Sequence, residues 1–341
     1  MKRLVLILTV LTFALVSLGT NFGMGVAVSQ AKPLKIRIAK SVAAPHAMIA
    51  LLFEDPKAVG MKHYGKSYVV DRILFRGTSP QIQALAAKQL DVGYLAYASF
   101  PFAIIKGHLD IKIVADLLQD KKGWLGTNFT VLKSSPIKTA EDFRGKTIGV
   151  NLFNTAVSIS LRVKMLQYGM LPKRDYNIVE VNFPSQEAFL REGKIDVACL
   201  PGPFWHRANG KGDVRKIFAT AEATGDTNTL ITVARTDWLK KHPKVAQHFF
   251  DDWLTAWKWY KDPANREKAL DLTVKHTKRS RKAYWWAFSK NSAWLDPDGI
   301  PNLEGTQRSI DMMSKLGILK QKFDISPHVD LSWIKKAKEN L

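Results

Sequence analysis

Apolar and polar residues alternate along the chain with a period that changes repeatedly between Leu34 and Phe218. Short apolar runs with the two-residue period of a β-strand are separated by segments with the period of an α-helix. From Asp237 onward the chain reads as helical. Strands that alternate with helices predict βαβ units, and therefore an α/β fold with mostly parallel sheets. The predicted strands are 34–39, 69–75, 92–95, 111–117, 129–133, 147–150, 178–181 and 197–200.

One unit of this pattern occurs twice. Residues 84–95 and 188–199 each read as the end of a helix, a tight turn and an aspartate that leads a buried strand. A segment of proline and aromatic residues follows each strand, at 98–102 and at 201–205. The repeat predicts two lobes that are built alike. The alternative is that any helix–turn–strand unit converges on this pattern.

The first 31 residues have the layout of a secretory signal peptide. Lys2 and Arg3 precede the apolar run 4–18, and small residues end at Ala31. An uncleaved anchor is the alternative, but the apolar run is shorter than the roughly 20 residues that span a bilayer. We therefore predict a signal peptide over 1–31 with cleavage near Ala31, and export.

Composition and charge narrow the class of ligand. The chain has 51 Lys and Arg against 30 Asp and Glu, a formal net charge of +21. In a cytoplasmic protein this excess would indicate nucleic acid, and predicted export argues against that partner. The charge favours an anionic ligand or an acidic membrane partner. The sequence has no GxGxxG, HExxH or CxxC motif, and we expect no cofactor and no metal.

Several local motifs resemble a known family. Gly77-Thr78-Ser79-Pro80 stands before a helix that ends in Ala-Leu, a turn and Asp-Val-Gly. Later come Asp-Phe-Arg-Gly-Lys-Thr-Ile-Gly-Val at 142–150, Asn-Thr-Ala at 154–156 and Leu-Gln-Tyr-Gly-Met at 166–170. Together they resemble the aliphatic sulfonate, taurine and nitrate binding proteins of ABC transporters, and the related thiamine-pyrimidine precursor binders. The resemblance covers about 34–238.

The resemblance implies a two-lobed periplasmic binding protein fold of type II. Each lobe would hold a mostly parallel sheet flanked by helices, and the chain would cross between the lobes twice. Lobe 1 would comprise 34–120 plus 226–341, and lobe 2 would comprise 121–225. The candidate hinges are Gly123-Trp124-Leu125-Gly126 and Gly225-Asp226, because glycine tolerates large changes of φ and ψ.

The implied function is that of the solute-binding component of an ABC importer. It would capture a small organic anion, a sulfonate or a carboxylate with an alkyl or aromatic body, by hinge closure. Its partners would be that ligand and an inner-membrane ABC permease with its ATPase. We expect a monomer in the periplasm. An alternative with the same bound state is a ligand sensor partner, which the sequence does not separate from transport.

The ligand site is expected beyond the carboxyl ends of the strands, where open α/β sheets bind ligands. Helix starts near Thr78 and Thr155 could supply N–H groups to an anion, or their hydroxyls could simply cap the helices. Aromatic side chains at loop tips would form flat walls. The candidate ligand-binding residues are Pro45, His46, Arg76, Thr78, Ser79, Ala96, Tyr97, Asn128, Phe153, Asn154, Thr155, Pro201, Pro203 and Trp205.

An enzyme on the same fold is the second alternative. The resemblance extends to pyrimidine-precursor synthases and to a sulfinate-cleaving hydrolase, which would need a nucleophilic cysteine. Cys199 is the one cysteine of the sequence, and it lies within the apolar run 197–200. A thiol in such a run is usually buried and inert, so we expect no catalysis.

Overall fold

A computed structural model describes residues 32–40, 50, 52–75, 77–278, 280–288 and 292–341. The predicted signal peptide and the predicted site residues Pro45, His46 and Arg76 lie outside the described residues. The region Pro33–Leu341 packs as one unit. None of the described helices has both the length and the apolar character needed to cross a bilayer.

Ten strands are formed in the described residues, and the eight predicted ones are among them. The two strands missing from the prediction are β9 and β10, which follow the last predicted strand. The strands are β1 Leu34–Lys40, β2 Tyr68–Leu74, β3 Val92–Ala96, β4 Ile111–Asp120, β5 Asn128–Leu132, β6 Thr147–Val150, β7 Asn177–Glu180, β8 Ala198–Leu200, β9 Val214–Ala219 and β10 Thr227–Arg235.

Helices separate most of the strands and make up the region after β10, as the periodicity predicts. The α-helices are Pro56–Val59, Ser79–Ala86, Phe100–Ile105, Ala156–Leu166, Phe183–Arg191, Gly202–Asn209, Ala221–Thr224, Thr236–Lys241, Pro243–Lys261, Arg266–Thr277, Arg281–Tyr284, Leu303–Lys315 and Ser332–Glu339. Short 3₁₀ helices are Glu141–Phe143, Pro263–Asn265, Trp285–Phe288 and Ser326–His328.

The strands form two groups of sheets. The first sheet has the order β2-β1-β3-β10-β4, and the second group comprises the sheets β8-β5-β9 and β6-β7. A parallel bridge between Ile148 and Val197 joins β6 to the residue before β8. Strand β1 is parallel to β2 and β3, and β6 is parallel to β7. The α/β class is thus confirmed.

Two strands run against their neighbours, which the alternating pattern does not predict. Strand β10 is antiparallel to both β3 and β4, and β5 is antiparallel to both β8 and β9. The reason is the path of the chain. It leaves the first sheet along β4 and returns to it along β10, so these two long strands must run in opposite directions. The first sheet is therefore mixed, and the second group combines the antiparallel sheet β8-β5-β9 with the parallel pair β6-β7.

Two crossings connect the sheet groups, at 121–127 and at 220–226, and they lie side by side. The Lys122 N–H donates to Asp226 Oδ1 at 2.9 Å, and the Thr220 N–H donates to the Thr127 carbonyl at 3.0 Å. The φ angles of Gly123 and Gly225, 87° and 73°, lie in the left-handed region that favours glycine. The hinge positions and the residue limits of the lobes stay predictions.

The apolar core follows the same division. One large cluster covers the first sheet and the helices after β10, and smaller clusters cover the second group. The helix Ala156–Leu166 contributes to both because apolar residues occupy two of its faces. The residues Ala156, Ile159 and Val163 join the first cluster, and Val157, Leu161 and Met165 join the second. This helix thus packs the two sheet groups against each other.

Candidate functional site

Hydroxyl groups meet at the end of β3, where the sequence predicts ligand contacts. Thr78 precedes the helix Ser79–Ala86, and its Oγ1 lies 2.8 Å from Ser99 Oγ with both side chains buried. Thr78 holds the N-cap position but makes no side-chain capping bond. The predicted neighbour Ser79 is exposed, and Ala96, at the last position of β3, is buried.

Tyr97 lies deeper than the sequence suggests. Only 1% of its surface is exposed, so the ring is part of the packed interior and does not form a loop-tip wall. Burial raises the pKa of the Tyr97 hydroxyl well above its usual value, and the Ser160 side chain opposes that shift. Ser160 belongs to the helix Ala156–Leu166. The Tyr97 ring shares the large apolar cluster with Ala156, Ile159 and Val163 of this helix, so packing links the end of β3 to the helix.

A buried carboxylate close to this point was missed by sequence reasoning. Asp120 ends β4 and is 6% exposed. A Cβ added at Gly126 would lie 3.1 Å from both Asp120 Oδ1 and Thr220 Oγ1, so the carboxylate and this hydroxyl converge at the crossings. Burial raises the pKa of Asp120, while the hydroxyls of Thr220 and Thr229 oppose the rise. No motif marks Asp120, because only the fold brings it beside Thr220.

The predicted site residues at 153–155 differ in how far they are exposed to solvent. Phe153 is 51% exposed, and its N–H donates to Glu180 Oε1 at 2.5 Å. Asn154 is exposed with a φ of 57°. Thr155 is buried at the N-cap of its helix, where its hydroxyl donates to the Leu152 carbonyl at 2.9 Å. The predicted cap at Thr155 thus holds the loop together, and Glu180 adds a carboxylate to its surroundings.

Two of the predicted residues, Asn128 and Trp205, line one cavity of about 360 Å³ beside the first crossing. We call it the crossing cavity. Small-molecule sites in proteins typically enclose about 300–1,000 Å³. Pro201 and Pro203 belong to the start of the neighbouring helix, Gly202–Asn209. The cavity is lined by Lys121, Lys122, Gly123, Trp124, Leu125, Asn128, Trp205, His206, Lys216, Ala219, Ala221, Glu222 and Ser292.

Asn128 is the most informative group in this cavity. It is 4% exposed at the start of β5, where its backbone pairs with Leu200 of β8 and Ala219 of β9. Its side-chain amide makes no hydrogen bond to any described residue, yet it faces a cavity. Buried amides in native proteins almost always have a partner. An unpaired amide that lines a cavity of this size is therefore typical of a ligand contact.

Cations outnumber carboxylates in the described lining. Lys216 Nζ lies 2.9 Å from Glu222 Oε1, so these charges compensate each other. Within the described ranges, Lys121 and Lys122 form no ion pair, although Lys121 Nζ lies 3.8 Å from the ring centre of Trp294. Burial lowers the pKa of His206, which keeps this imidazole neutral at pH 7. The crossing cavity thus combines indole walls with net positive charge.

The structure places some of the predicted site residues in two different surroundings. Ala96 and Tyr97 belong to the large apolar cluster that includes Ala156, Ile159 and Val163, whereas Asn128 and Trp205 line the crossing cavity. Tyr97 is not among the residues that line that cavity. The predicted opposition of Tyr97 and Trp205 across one ligand therefore stays a prediction. In the described part of the chain, no three His, Cys, Asp or Glu side chains converge to hold a metal ion.

Cys199 is placed as the sequence predicts for an inert thiol. It is 0% exposed in β8, and Gln186 Nε2 donates to its Sγ at 3.0 Å. Burial raises the pKa of this thiol to about 12, opposed by the bond from Gln186.

We expect native Cys199 to resist a thiol reagent such as iodoacetamide at pH 8, because the thiolate is the reactive form. The protein unfolded in guanidinium should be labelled within minutes, which is the control. Fast labelling of the folded protein by mass spectrometry would contradict this placement of Cys199.

The class of fold is that of the periplasmic binding proteins. The chain matches the periplasmic aliphatic sulphonate binding protein SsuA from Escherichia coli with a TM-score of 0.69 at 18% identity, over 87% of this chain and 92% of that chain. It matches the periplasmic nitrate-binding protein NrtA from Synechocystis PCC 6803 with a TM-score of 0.71 at 15% identity, over 91% and 89%. At these identities the likeness shows the fold alone.

The family itself is shown by sequence. A model of the NMT1-like family matches residues 26–274, and the chain belongs to that family. The resemblance noted in the motifs is thereby confirmed. A search of curated proteins finds no match. The desulfurization enzyme DSZB also shares the fold, with a TM-score of 0.61 at 13% identity over 90% of this chain and 99% of that chain. The fold therefore hosts both binding proteins and an enzyme.

Proposed function

We propose that this protein is the solute-binding component of an ABC importer and that it binds a small organic anion. The observation that carries the proposal is the crossing cavity. There the amide of Asn128, which has no hydrogen-bond partner among the described residues, and the indole of Trp205 line the same space. Family membership and the similarity of the fold to sulphonate and nitrate binding proteins support it.

The chemistry of the cavity favours an anion with an apolar body. The Asn128 amide offers N–H donors to a sulfonate or carboxylate oxygen, and Lys121 and Lys122 supply uncompensated positive charge. Trp124 and Trp205 offer flat apolar surfaces to an aliphatic or aromatic body. A hydrogen bond from a neutral amide to an anion contributes about 1.5–3 kcal/mol.

Closure of the two sheet groups around the ligand is part of the proposal. The proposed moving units are 34–120 plus 226–341 and 121–225, with bending at the adjacent crossings. Ligand contacts on both units would favour the closed state, because a ligand shifts a conformational equilibrium only by its differential affinity. The proposed location is the periplasm, and the proposed partners are a membrane permease and its ATPase.

A thermal-shift screen tests the ligand class directly. The screen compares alkyl and aryl sulfonates, carboxylates, nitrate and neutral pyrimidines. Each compound is added at the same concentration in the millimolar range, which a preliminary titration sets. We expect an organic sulfonate or carboxylate to give the largest shift, since a ligand at 100 times its Kd stabilises a protein by about 2.7 kcal/mol. A larger shift with neutral pyrimidines, or no shift with any compound, would count against an organic anion.

A further inference from the structure

A short segment from the C-terminal helical region packs against the wall of the crossing cavity. It comprises the helix Arg281–Tyr284 and the 3₁₀ helix Trp285–Phe288, and we call it the Trp286 segment. Trp286 is 2% exposed and clusters with Leu270, Tyr284 and Ala287, with Leu125 of the first crossing beside them. The segment is thus held in a small apolar cluster of its own.

The Trp286 segment is tied to the first sheet at both ends. Before it, the helix Arg266–Thr277 places Ala269 in the large cluster that covers the first sheet. After it, the Trp294 carbonyl accepts a hydrogen bond from the Gln119 N–H of β4 at 3.3 Å, and the Asp296 N–H donates to Asp116 Oδ2 at 3.2 Å. The segment therefore belongs with the first sheet.

The surface that it touches belongs to the second group. The helix Gly202–Asn209 directly follows β8 and is held there by Arg207, whose Nε donates to Glu187 Oε2 at 2.8 Å. The His206 and Trp286 rings stack with centroids 5.6 Å apart and planes 24° apart. The contact thus connects an element of the first sheet group with the helix that carries Trp205 and His206 into the crossing cavity.

Gly202 is the position where the contact is tightest. A Cβ at Gly202 would lie 2.4 Å from Trp286 Cζ3 and 2.7 Å from Cη2, closer than real Cβ contacts. The φ angle of Gly202 lies outside the left-handed region, so the backbone itself accepts alanine. The indole, and not the backbone conformation, therefore requires glycine at this position.

We propose that Trp286 is a positioning residue for the ligand site, and this rests on the proposed function of the crossing cavity. Its indole lies against the backbone of Gly202 and on the His206 ring, and so fixes the segment 201–206, whose Trp205 and His206 line the cavity. Binding of an organic anion then depends on a side chain that does not itself line the described cavity.

The test measures hydrogen exchange and affinity in four proteins: wild type, Gly202→Ala, Trp286→Leu and the double variant. The Phe204 and Trp205 N–H groups both donate to the Pro201 carbonyl at 2.9 Å and report on the wall without any ligand. We expect their exchange to be at least tenfold faster in Gly202→Ala than in wild type. In the double variant the exchange rate should lie within threefold of the rate in Trp286→Leu, because leucine removes the clash between the added Cβ and the indole.

The affinity for the best anion of the screen should follow the same pattern, with a tenfold loss in Gly202→Ala and no added loss in the double variant relative to Trp286→Leu. Gly299→Ala is the matched control. Its Cβ would lie 2.7 Å from Trp253 Cζ3, and its φ is 69°, but it is buried in a turn whose carbonyl at Gly299 accepts the Asp116 N–H of β4. It should lower stability and leave exchange at 204–205 unchanged.

The outcomes separate this inference from the proposed function. Equal exchange in Gly202→Ala and wild type, or additive effects in the double variant, would overturn the positioning role of Trp286. An unaltered affinity in both single variants would do the same, even if exchange changed. If exchange follows the expected pattern but no anion binds wild type, the proposed function fails while Trp286 still positions the wall.

Discussion

Replacing Asn128 with Asp should abolish most of the anion binding, with an affinity loss of about a hundredfold or more. The substitution turns an amide donor into a carboxylate that only accepts hydrogen bonds, inside a cavity where the side chain is 4% exposed. Two like charges about 4 Å apart repel by about 4 kcal/mol at an effective dielectric constant near 20. A hundredfold loss corresponds to about 2.7 kcal/mol. Calorimetric titration with the best anion of the screen measures it.

Asn209→Asp is the matched control for this experiment. It makes the same chemical change at the exposed end of the helix Gly202–Asn209, outside the cavity lining. Its affinity should stay within twofold of wild type. The affinity of Asn128→Ser for the anion should lie between those of Asn128→Asp and Asn209→Asp, because a serine hydroxyl provides a hydrogen-bond donor without adding charge. If Asn128→Asp binds the anion as tightly as wild type, the crossing cavity is not the ligand site.

Replacing Asp252 with Ala should destabilise the fold by about 3 kcal/mol or more. The carboxylate is 1% exposed on the helix Pro243–Lys261. It accepts hydrogen bonds from the N–H groups of Lys62, His63 and Tyr64, at 2.8, 3.0 and 2.9 Å. The Tyr68 hydroxyl donates to it at 2.8 Å. The Tyr68 hydroxyl is buried, and a buried donor left without a partner costs about 1–3 kcal/mol, to which the three partly buried N–H groups add. Urea denaturation followed by circular dichroism measures the loss.

Asp311→Ala provides the comparison for the stability measurement. Asp311 is exposed on the helix Leu303–Lys315, where its carboxylate accepts a bond from Gln307. Exposed substitutions of this kind usually change the free energy of unfolding by less than about 0.5 kcal/mol. A similar loss in both variants would mean that Asp252 does not organise the turn at 62–64. Because Asp252 is not among the residues that line the crossing cavity, its effect should appear in stability.

The alternation of apolar runs predicts the strands well where each strand is short and buried between turns. It misses β10, although Leu230-Ile231-Thr232-Val233-Ala234 is apolar and β-branched. The helix before it, Ala221–Thr224, is only four residues long, so the sequence shows no clear helical period between β9 and β10. The direction of β10 cannot be predicted from the local sequence either, because it depends on the path of the preceding chain and not on local periodicity.

The sequence predicts residues of the candidate site only where they lie near the ends of predicted strands. Asn128 and Trp205 lie next to predicted strand boundaries, and the structure brings them to one cavity. Asp120 and Glu222 were missed because neither carries a motif. The fold alone brings Asp120 beside Thr220, and it alone places Glu222 in the same cavity as Asn128 and Trp205. Tyr97 is more deeply buried than its position in the sequence suggests. Its position at a strand end suggests an open wall, but packing by the helix Ala156–Leu166 covers it.

The placement of β10 between β3 and β4 has a consequence for how the chain folds. The register pairs Ile231 with both Leu95 and Asp116, so more than 100 residues separate the strands that must meet. The first sheet is therefore incomplete until the whole of the second group has been synthesised. Sheets closed by such distant strands form slowly, because loop-closure entropy is lost before the contacts form. A nascent chain of this topology stays unfolded for longer than one whose sheet is built from neighbouring strands.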